Sequence, residues 1–227
     1  MKYVLFSLMA LVSPAFAALT LVEVVDPFAV GTTPVSLRSG SVTAAQIESG
    51  IDFGGQRSVT VAVTSNPFLR DVRFGVIGQT GQFFVESGPR AAATVSIVYG
   101  SAAGLGGVDI TVGGAANTLG IEFEDSDPAF QLTLRLTDVD GRVASGNAFR
   151  ADAIAAGGVI EFGYAGLAGA ELLDFTAIDR IELLMDNGPS GDFTANQVAL
   201  YHAPEPGAPI LAGLSAVLLA FRRKRSC

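Results

Sequence analysis

Cysteine, histidine, tryptophan and lysine are scarce in this chain of 227 residues. The one cysteine is the last residue, Cys227, so the body can contain neither disulfides nor a cysteine-rich zinc site. The one histidine, His202, argues against a Ser-His catalytic pair and against a catalytic zinc or iron centre. The absence of tryptophan disfavours a sugar-binding platform built on indole rings, although tyrosine and phenylalanine also stack on sugars.

The first 17 residues have the pattern of a secretory signal peptide. A single lysine precedes an apolar segment of nine residues, Val4–Val12, and the small residues Ala15 and Ala17 suit signal peptidase. The apolar segment is much shorter than the roughly 20 residues that span a bilayer as a helix. The sequence therefore predicts cleavage after Ala17 and export of the remaining chain.

The last residues combine a proline-flanked glutamate, an apolar run and a basic end. Residues 208–221 are 14 uncharged residues, which as a helix reach roughly 21 Å, short of a hydrocarbon core of about 30 Å. Local thinning of the bilayer can accommodate a short segment. The basic residues that follow would hold the cytoplasmic end, and they are Arg222, Arg223, Lys224 and Arg225.

Pro204, Glu205 and Pro206 precede that run, and the two prolines favour an extended peptide that an enzyme can grip. The order of this motif, the apolar run and the basic end resembles the PEP-CTERM sorting signal of exported Gram-negative bacterial proteins. The resemblance implies processing by the membrane protease-transpeptidase exosortase, a transient membrane anchor, and a final place at the cell surface or outside the cell. The alternative is an ordinary single-pass tail.

These two ends predict the organisation of the chain. We expect a signal peptide at 1–17, a β-sandwich domain at 18–201, a linker with the motif at 202–207, a transmembrane segment at 208–221 and a basic cytoplasmic end at 222–227. Both lysines fall in the removed ends, and the body keeps nine arginines against 21 acidic residues, a formal charge of −12. Such a surface argues against nucleic acid and against anionic membranes. Divalent cations and uncharged polymers remain as partner classes.

The body is dominated by an alternation of apolar and polar residues, which is typical of half-buried antiparallel strands. Residues 58–64 (SVTVAVT) and 131–137 (QLTLRLT) show it most clearly. About ten such strands, separated by glycine-rich turns, predict an all-β antiparallel sandwich of jelly-roll type. The other eight predicted strands are 19–25, 72–76, 94–99, 108–112, 119–123, 159–162, 178–185 and 197–201. A short helix is predicted at 148–155 or 166–173.

Acidic residues are the only abundant candidates for chemistry. The densest cluster comprises Glu122, Glu124, Asp125 and Asp127, and a pair of such carboxylates could serve a glycosidase. The alternative is a solvated strand edge whose charges discourage aggregation. With 21 acids in the body, close pairs also occur by chance.

Two loops have the oxygen-bearing residues that calcium prefers. Asp138 and Asp140 precede Gly141 as in the start of some calcium loops, but the residues after Gly141 supply no further oxygen ligand, and a hairpin turn explains the same pattern. The last loop offers a second candidate set, namely Asp186, Asn187 and Asp192.

The expected function is that of an exported, exosortase-processed protein of the cell surface or extracellular matrix, structural or adhesive and linked to exopolysaccharide. The alternative is a calcium- or polysaccharide-binding, lectin-like module, and a third candidate is a carboxylate-based polysaccharide hydrolase or lyase. The expected partners are signal peptidase, exosortase and exopolysaccharide. We predict no enzymatic activity, no nucleic-acid partner and no cofactor other than calcium.

Overall fold

A computed structural model describes residues 18–29, 32–47, 56–77, 80–100, 103–127, 129–186 and 188–204, without the side chains of residues 32, 33, 44–47 and 56. Residues Thr20–His202 form one compact unit. The predicted signal peptide and cleavage residues, the transmembrane segment and the basic end all lie outside the described residues, as do Glu205 and Pro206 of the sorting motif.

The described residues form thirteen strands, more than the ten predicted. The only helical element among them is a short 3₁₀ turn at Tyr164–Gly166, so this part of the chain has no helix that could cross a membrane. The strands are β1 Thr20–Asp26, β2 Thr32–Leu37, β3 Ser41–Ile47, β4 Gln56–Ser65, β5 Val72–Ile77, β6 Gln82–Ser87, β7 Ala92–Tyr99, β8 Thr118–Ser126, β9 Phe130–Asp138, β10 Val143–Arg150, β11 Gly158–Gly163, β12 Ile178–Asp186 and β13 Phe193–His202.

The strands pair into two antiparallel sheets. Sheet A has the order β11-β8-β13-β6-β5-β2, and β1 also pairs with β13. Sheet B has the order β10-β9-β12-β7-β4-β3. The prediction of an all-β antiparallel sandwich is therefore confirmed. From β6 onward the chain passes from one sheet to the other at every connection except the β9–β10 hairpin. The finer assignment of the sandwich to the jelly-roll type stays a prediction.

The alternation in the sequence explains how each strand contributes to the core. In β9, Leu132, Leu134 and Leu136 are fully buried, while Gln131 and Arg135 are exposed on the outer face of sheet B. Successive side chains of a strand point to opposite faces, so one face of each sheet is apolar and the two apolar faces pack together.

Phenylalanine rings from both sheets join in the middle of this core. The Phe130 ring of sheet B packs edge-on against Phe123 and Phe193 of sheet A, with centroid distances of 5.1 and 5.2 Å. Such aromatic pairs contribute about 0.5–1.5 kcal/mol beyond the area they bury. Since no disulfide can link the sheets, these contacts are a main source of their attachment.

The core also contains a charged group that the sequence did not reveal. Asp26 of β1, Arg57 of β4 and Tyr99 of β7 are all fully buried, and we call them the buried polar cluster. The Arg57 guanidinium donates to both oxygens of Asp26 at 2.7 Å, and the Tyr99 hydroxyl donates to Asp26 Oδ2 at 2.9 Å. Because β1 belongs to sheet A and β4 and β7 to sheet B, the cluster ties the two sheets together.

Three local predictions were wrong. Residues 108–112 are not a strand, because Asp109 Oδ1 accepts hydrogen bonds from the backbone N–H and the hydroxyl of Thr111 and holds a series of turns. Residues 148–155 are not a helix, since 148–150 end β10. Residues 166–173 form turns after the 3₁₀ segment and not a longer helix.

Candidate functional site at the open edge of the sandwich

The candidate site lies where the two sheets end side by side. Strands β10 and β11 are consecutive in the chain, and they form the edges of sheet B and sheet A respectively. The connection between them, residues 151–157, hydrogen-bonds to the second half of β8, and Ser145 in β10 forms an isolated bridge with Ala168. Loops at the edge of a rigid scaffold are common positions for binding residues.

A cleft of about 400 Å³ opens between the end of β10, the connecting segment and β11. Its volume falls in the range of small-molecule sites, which are mostly apolar with a few polar groups. The residues that give the cleft this character are Phe149, Arg150, Asp152, Ile154, Val159 and Ile160.

Backbone pairing holds the connecting segment in place. Ile154 exchanges backbone hydrogen bonds with Ser126 at 3.1 and 3.2 Å. A Cβ on Gly158 would come within 2.5 Å of the Ile154 side chain, so the wall of the cleft requires a glycine here. The cleft is thus formed by ordered backbone on both sides.

Phe149 is the most exposed phenylalanine of the described residues, with 63% of its surface accessible. The side chains of Arg150 and Asp152 make no ion pair or hydrogen bond with any other residue that the structure describes. The lining of the cleft thus includes an exposed aromatic ring, a five-donor cation and a carboxylate acceptor. This combination can stack on the apolar face of a sugar ring and hydrogen-bond to its hydroxyl groups.

Uncharged polar side chains surround Phe149 on the same face of sheet B. Asn147 lies two residues earlier and its side-chain oxygen accepts a hydrogen bond from Thr133 at 2.7 Å. In the strand register Phe149 is opposite Gln131, and Asn147 is opposite Thr133. These uncharged side chains offer donors and acceptors next to the aromatic ring.

The predicted carboxylate cluster lies elsewhere, on and after β8. Glu122 accepts a hydrogen bond from Gln197 at 2.8 Å, and Glu124 accepts one from Asn196 at 3.2 Å. Strand β8 lies between β11 and β13, so these acids do not mark an edge of the sheet as the alternative interpretation supposed.

Asp127 and Asp192 connect the start of β13 to the end of β8. The backbone N–H of Asp192 donates to Asp127 Oδ2 at 3.0 Å, and Asp192 Oδ1 accepts the Ser87 N–H at 2.6 Å. Burial raises the pKa of Asp192, and the charges of Asp127, Glu86 and Asp125 add to this effect. These carboxylates organise loops, and their hydrogen bonds need no ligand.

Asp138 is buried and acts as the centre of its turn. Its Oδ1 accepts the N–H groups of Asp140 at 3.0 Å and Arg142 at 2.8 Å, and its Oδ2 accepts that of Asp174 at 3.1 Å. Burial acts to raise the pKa of Asp138, but these N–H groups and the charge of Arg142 outweigh it and hold the pKa below its usual range. The Asp140 carboxylate pairs with Arg142 at 3.0 Å.

The two calcium hypotheses concern opposite ends of one strand pair. Asp138 is opposite Ile178 at the start of β12, whereas Asp186 ends that strand, roughly 27 Å away at about 3.4 Å per residue. Asp186 accepts the Gly188 N–H at 2.9 Å, and Asn187 is outside the described residues. No group of three or more metal-ligating side chains occurs in the described part of the chain. Calcium binding by Asp138, Asp140, Asp186 and Asp192 stays an untested prediction.

His202 is the last residue of β13, and Pro204 follows outside any strand. The predicted sandwich domain ended at residue 201, so His202 had been assigned to the linker. Neither residue contributes to the cleft.

The residues of the cleft were missed because residues 148–155 were interpreted as a helix. Only the sheet register shows that Phe149 faces outward on an edge strand. A usable signal was the alternation of Ala144, Gly146 and Ala148 with more polar neighbours, a weak version of a strand pattern.

Comparisons with known proteins give distant structural resemblances. No family model matches the chain, and no curated protein matches it. The family 11 carbohydrate-binding module of the cellulosomal cellulase Lic26A-Cel5E of Clostridium thermocellum has 14% identity and a TM-score of 0.37, over 80% of this chain and 95% of that one. The solution structure of CtCBM11 has 13% identity and a TM-score of 0.41, over 82% and 98%. An exo-β-agarase has 12% identity and a TM-score of 0.37, over 82% of this chain but 25% of its own. Similarity at this level transfers neither ligand nor activity to this chain.

Proposed function

We propose that this protein is a non-catalytic, polysaccharide-binding β-sandwich that takes a segment of an uncharged glycan chain in the edge cleft. The observation that carries the proposal is the cleft itself, whose lining includes the exposed Phe149 ring and the side chains of Arg150 and Asp152, which have no ion pair or hydrogen bond among the described residues. The formal charge of −8 for the whole chain favours an uncharged polymer over an anionic one.

The composition of the cleft favours binding over hydrolysis. A glycosidase of the common type needs two carboxyl groups facing one bond, roughly 5 to 9.5 Å apart. Among the described residues that line the cleft, Asp152 is the only acid. We therefore expect no release of reducing sugar from a bound polymer.

The predicted sorting signal would give this proposal a cellular setting. Export by the signal peptide, and processing by exosortase at Pro204–Pro206, would deliver the sandwich to the cell surface or matrix. There a glycan-binding module would attach the protein to exopolysaccharide. Mass spectrometry of the mature protein tests this part, because a C-terminus that still carries Arg222–Arg225 would contradict processing.

Affinity electrophoresis of the full chain through gels that contain neutral polysaccharides tests the binding proposal. We expect retarded migration in at least one neutral β-glucan or galactan gel, and loss of retardation in Phe149→Ala. The matched control is Leu172→Ala, which truncates a side chain of similar exposure, 66%, outside the cleft. Equal retardation of both variants would contradict the cleft as the site.

A further inference from the structure

A second exposed surface lies at the end of the sandwich where β4 turns into β5. Phe68 and Leu69 are consecutive in this turn, and 54% and 64% of their surfaces are accessible. The guanidinium of Arg90 lies over the Phe68 ring, 5.5 Å from its centroid, and Arg70 follows Leu69 directly. We call Phe68, Leu69, Arg70 and Arg90 the apolar tip. None of the four lines the edge cleft.

The turn is held open by the side chain of Asn66. Its Oδ1 accepts the Arg70 N–H at 2.8 Å, and its Nδ2 donates to the Arg70 carbonyl at 2.6 Å and to the Arg38 carbonyl at 2.8 Å. Leu69 adopts a left-handed conformation with φ of 51°. A non-glycine residue in this region costs free energy, so these hydrogen bonds hold the two apolar side chains in a defined exposed position.

Neighbouring loops fix the same end of the molecule. The Gly88 N–H donates to the Asp71 carbonyl at 3.0 Å, which ties the β6–β7 loop to the turn. The Arg90 N–H donates to Ser190 Oγ at 2.6 Å, which ties it to the loop before β13. The apolar tip is therefore a preorganised surface built from two loops, and a third loop holds one of them in place.

The charge of the tip is opposite to that of the chain. Arg38 pairs with Asp71 at 2.7 Å, but neither Arg70 nor Arg90 has a carboxylate within ion-pair distance among the described residues. The nearby Asp192 is engaged by the Ser87 N–H on β6. Two cations and two large apolar groups thus stand together on a chain of formal charge −8.

We propose that the apolar tip docks on a phospholipid bilayer with anionic headgroups. Residues 67–71 are all exposed, so the turn presents side chains outward and does not enclose a small ligand. Phenylalanine and leucine insert at the boundary of headgroups and acyl chains, and arginine pairs with phosphate through a planar set of donors. Two apolar side chains with two nearby cations predict weak, reversible binding that depends on anionic lipid.

The absence of tryptophan allows a test that reports on the tip alone. In the full-length Phe68→Trp variant the new indole is the only one, so its emission reports the environment of position 68. We expect a blue shift with phosphatidylcholine vesicles that contain phosphatidylglycerol, little shift with phosphatidylcholine alone, and quenching by brominated acyl chains. Replacing Arg70 and Arg90 by glutamate in this background should abolish the shift.

The control is Leu184→Trp, which places the indole at a residue of 43% exposure on the outer face of sheet B. Its emission should not change with either vesicle. No shift at position 68 would overturn the proposal, as would equal shifts at both positions, which would indicate adsorption of the whole domain. A shift at position 68 with soluble alginate but not with vesicles would also overturn it, in favour of an anionic polymer. None of these outcomes affects the polysaccharide proposal, whose readout depends on Phe149.

Discussion

The buried polar cluster and the edge cleft use the same kinds of side chain for opposite purposes. In the cluster, Asp26 and Arg57 are fully buried, and the Arg57 guanidinium also lies 5.1 Å from the centre of the Phe28 ring. The lining of the cleft instead has exposed side chains, namely Phe149, Arg150 and Asp152.

The difference between the two regions lies in their hydrogen bonds. Each oxygen of Asp26 accepts two donors, since Oδ1 also accepts the Phe28 N–H at 2.9 Å and Oδ2 the Tyr99 hydroxyl. A buried charge must be satisfied in this way, because its desolvation is costly. Exposed groups keep their water and can exchange it for a ligand. The same residue types thus hold the two sheets together in the buried cluster and are available to bind a partner in the solvent-exposed cleft.

Of the substitutions that test this comparison, Arg57→Met should have the largest effect on the free energy of unfolding. It leaves the buried Asp26 carboxylate with neutral donors only, so the free energy of unfolding should fall by about 3–5 kcal/mol in urea titrations. The double variant Asp26→Leu with Arg57→Met should recover much of the loss, because it removes both charges. A loss below about 1 kcal/mol for the single variant, the usual value for exposed pairs, would contradict a structural role for the cluster.

Asp138→Asn should have a smaller, pH-dependent effect. The pKa of Asp138 is lowered in the folded protein, so its ionised form stabilises the fold above the unfolded pKa of about 3.9, and this contribution is lost as the pH falls through the folded pKa. The variant should therefore be less stable than the wild type at pH 6, and the difference should shrink as the pH is lowered to about 3. Thermal melts over this pH range measure it. A difference that grows in acid would refute the assigned direction of the pKa shift.

Phe149→Ala should separate binding from stability. Truncation of the exposed ring should weaken polysaccharide binding by about 1–2 kcal/mol, the loss typical of an aromatic contact residue. The free energy of unfolding should change by less than about 0.5 kcal/mol, as for other surface positions. Calorimetric titration and urea unfolding of the same variant give the two values. A large loss of stability would mean that Phe149 belongs to the packing of the edge and not to a binding surface.

Tyr164→Phe should destabilise the fold much less than Arg57→Met does. The Tyr164 hydroxyl donates to the Ile110 carbonyl at 2.8 Å, and its ring stacks on Phe175 with centroids 4.8 Å apart. The variant keeps the stacked ring and loses one hydrogen bond, so unfolding should require about 1 kcal/mol less. Burial raises the pKa of Tyr164, so the wild-type hydroxyl stays protonated across the pH range of these experiments. A loss near that of Arg57→Met would show that this contact supports more than one turn.

Strong local patterns allowed much of the fold to be predicted. The alternation at 131–137 and 58–64 matches β9 and β4, and the structure places a backbone hydrogen bond from Gly141 to Asp138 in the predicted hairpin turn. Weak patterns failed where a short stretch suits several conformations. Residues 148–155 contain four alanines, which favour a helix in isolation, but pairing of residues 143–150 with β9 makes the first part a strand.

The sites were less predictable than the fold, because they join residues distant in sequence. The acid cluster around Glu122 stood out by its density, yet Glu122 and Glu124 accept hydrogen bonds from the side-chain amides of Gln197 and Asn196. The sequence around Asp26 does not indicate that Arg57 will pair with it, since the two are 31 residues apart. The overall acidity argued against anionic membranes, whereas loops 66–71 and 88–91 place two arginines beside an exposed phenylalanine.

By itself the sequence determined the all-β class, the antiparallel strands and the absence of disulfides, because alternation and composition act locally or over the whole chain. The tertiary structure alone decided which strands form edges, which charges are buried and which rings remain exposed. Those properties depend on strand order and register, and a shift of one residue in register moves every side chain of a strand to the other face of the sheet.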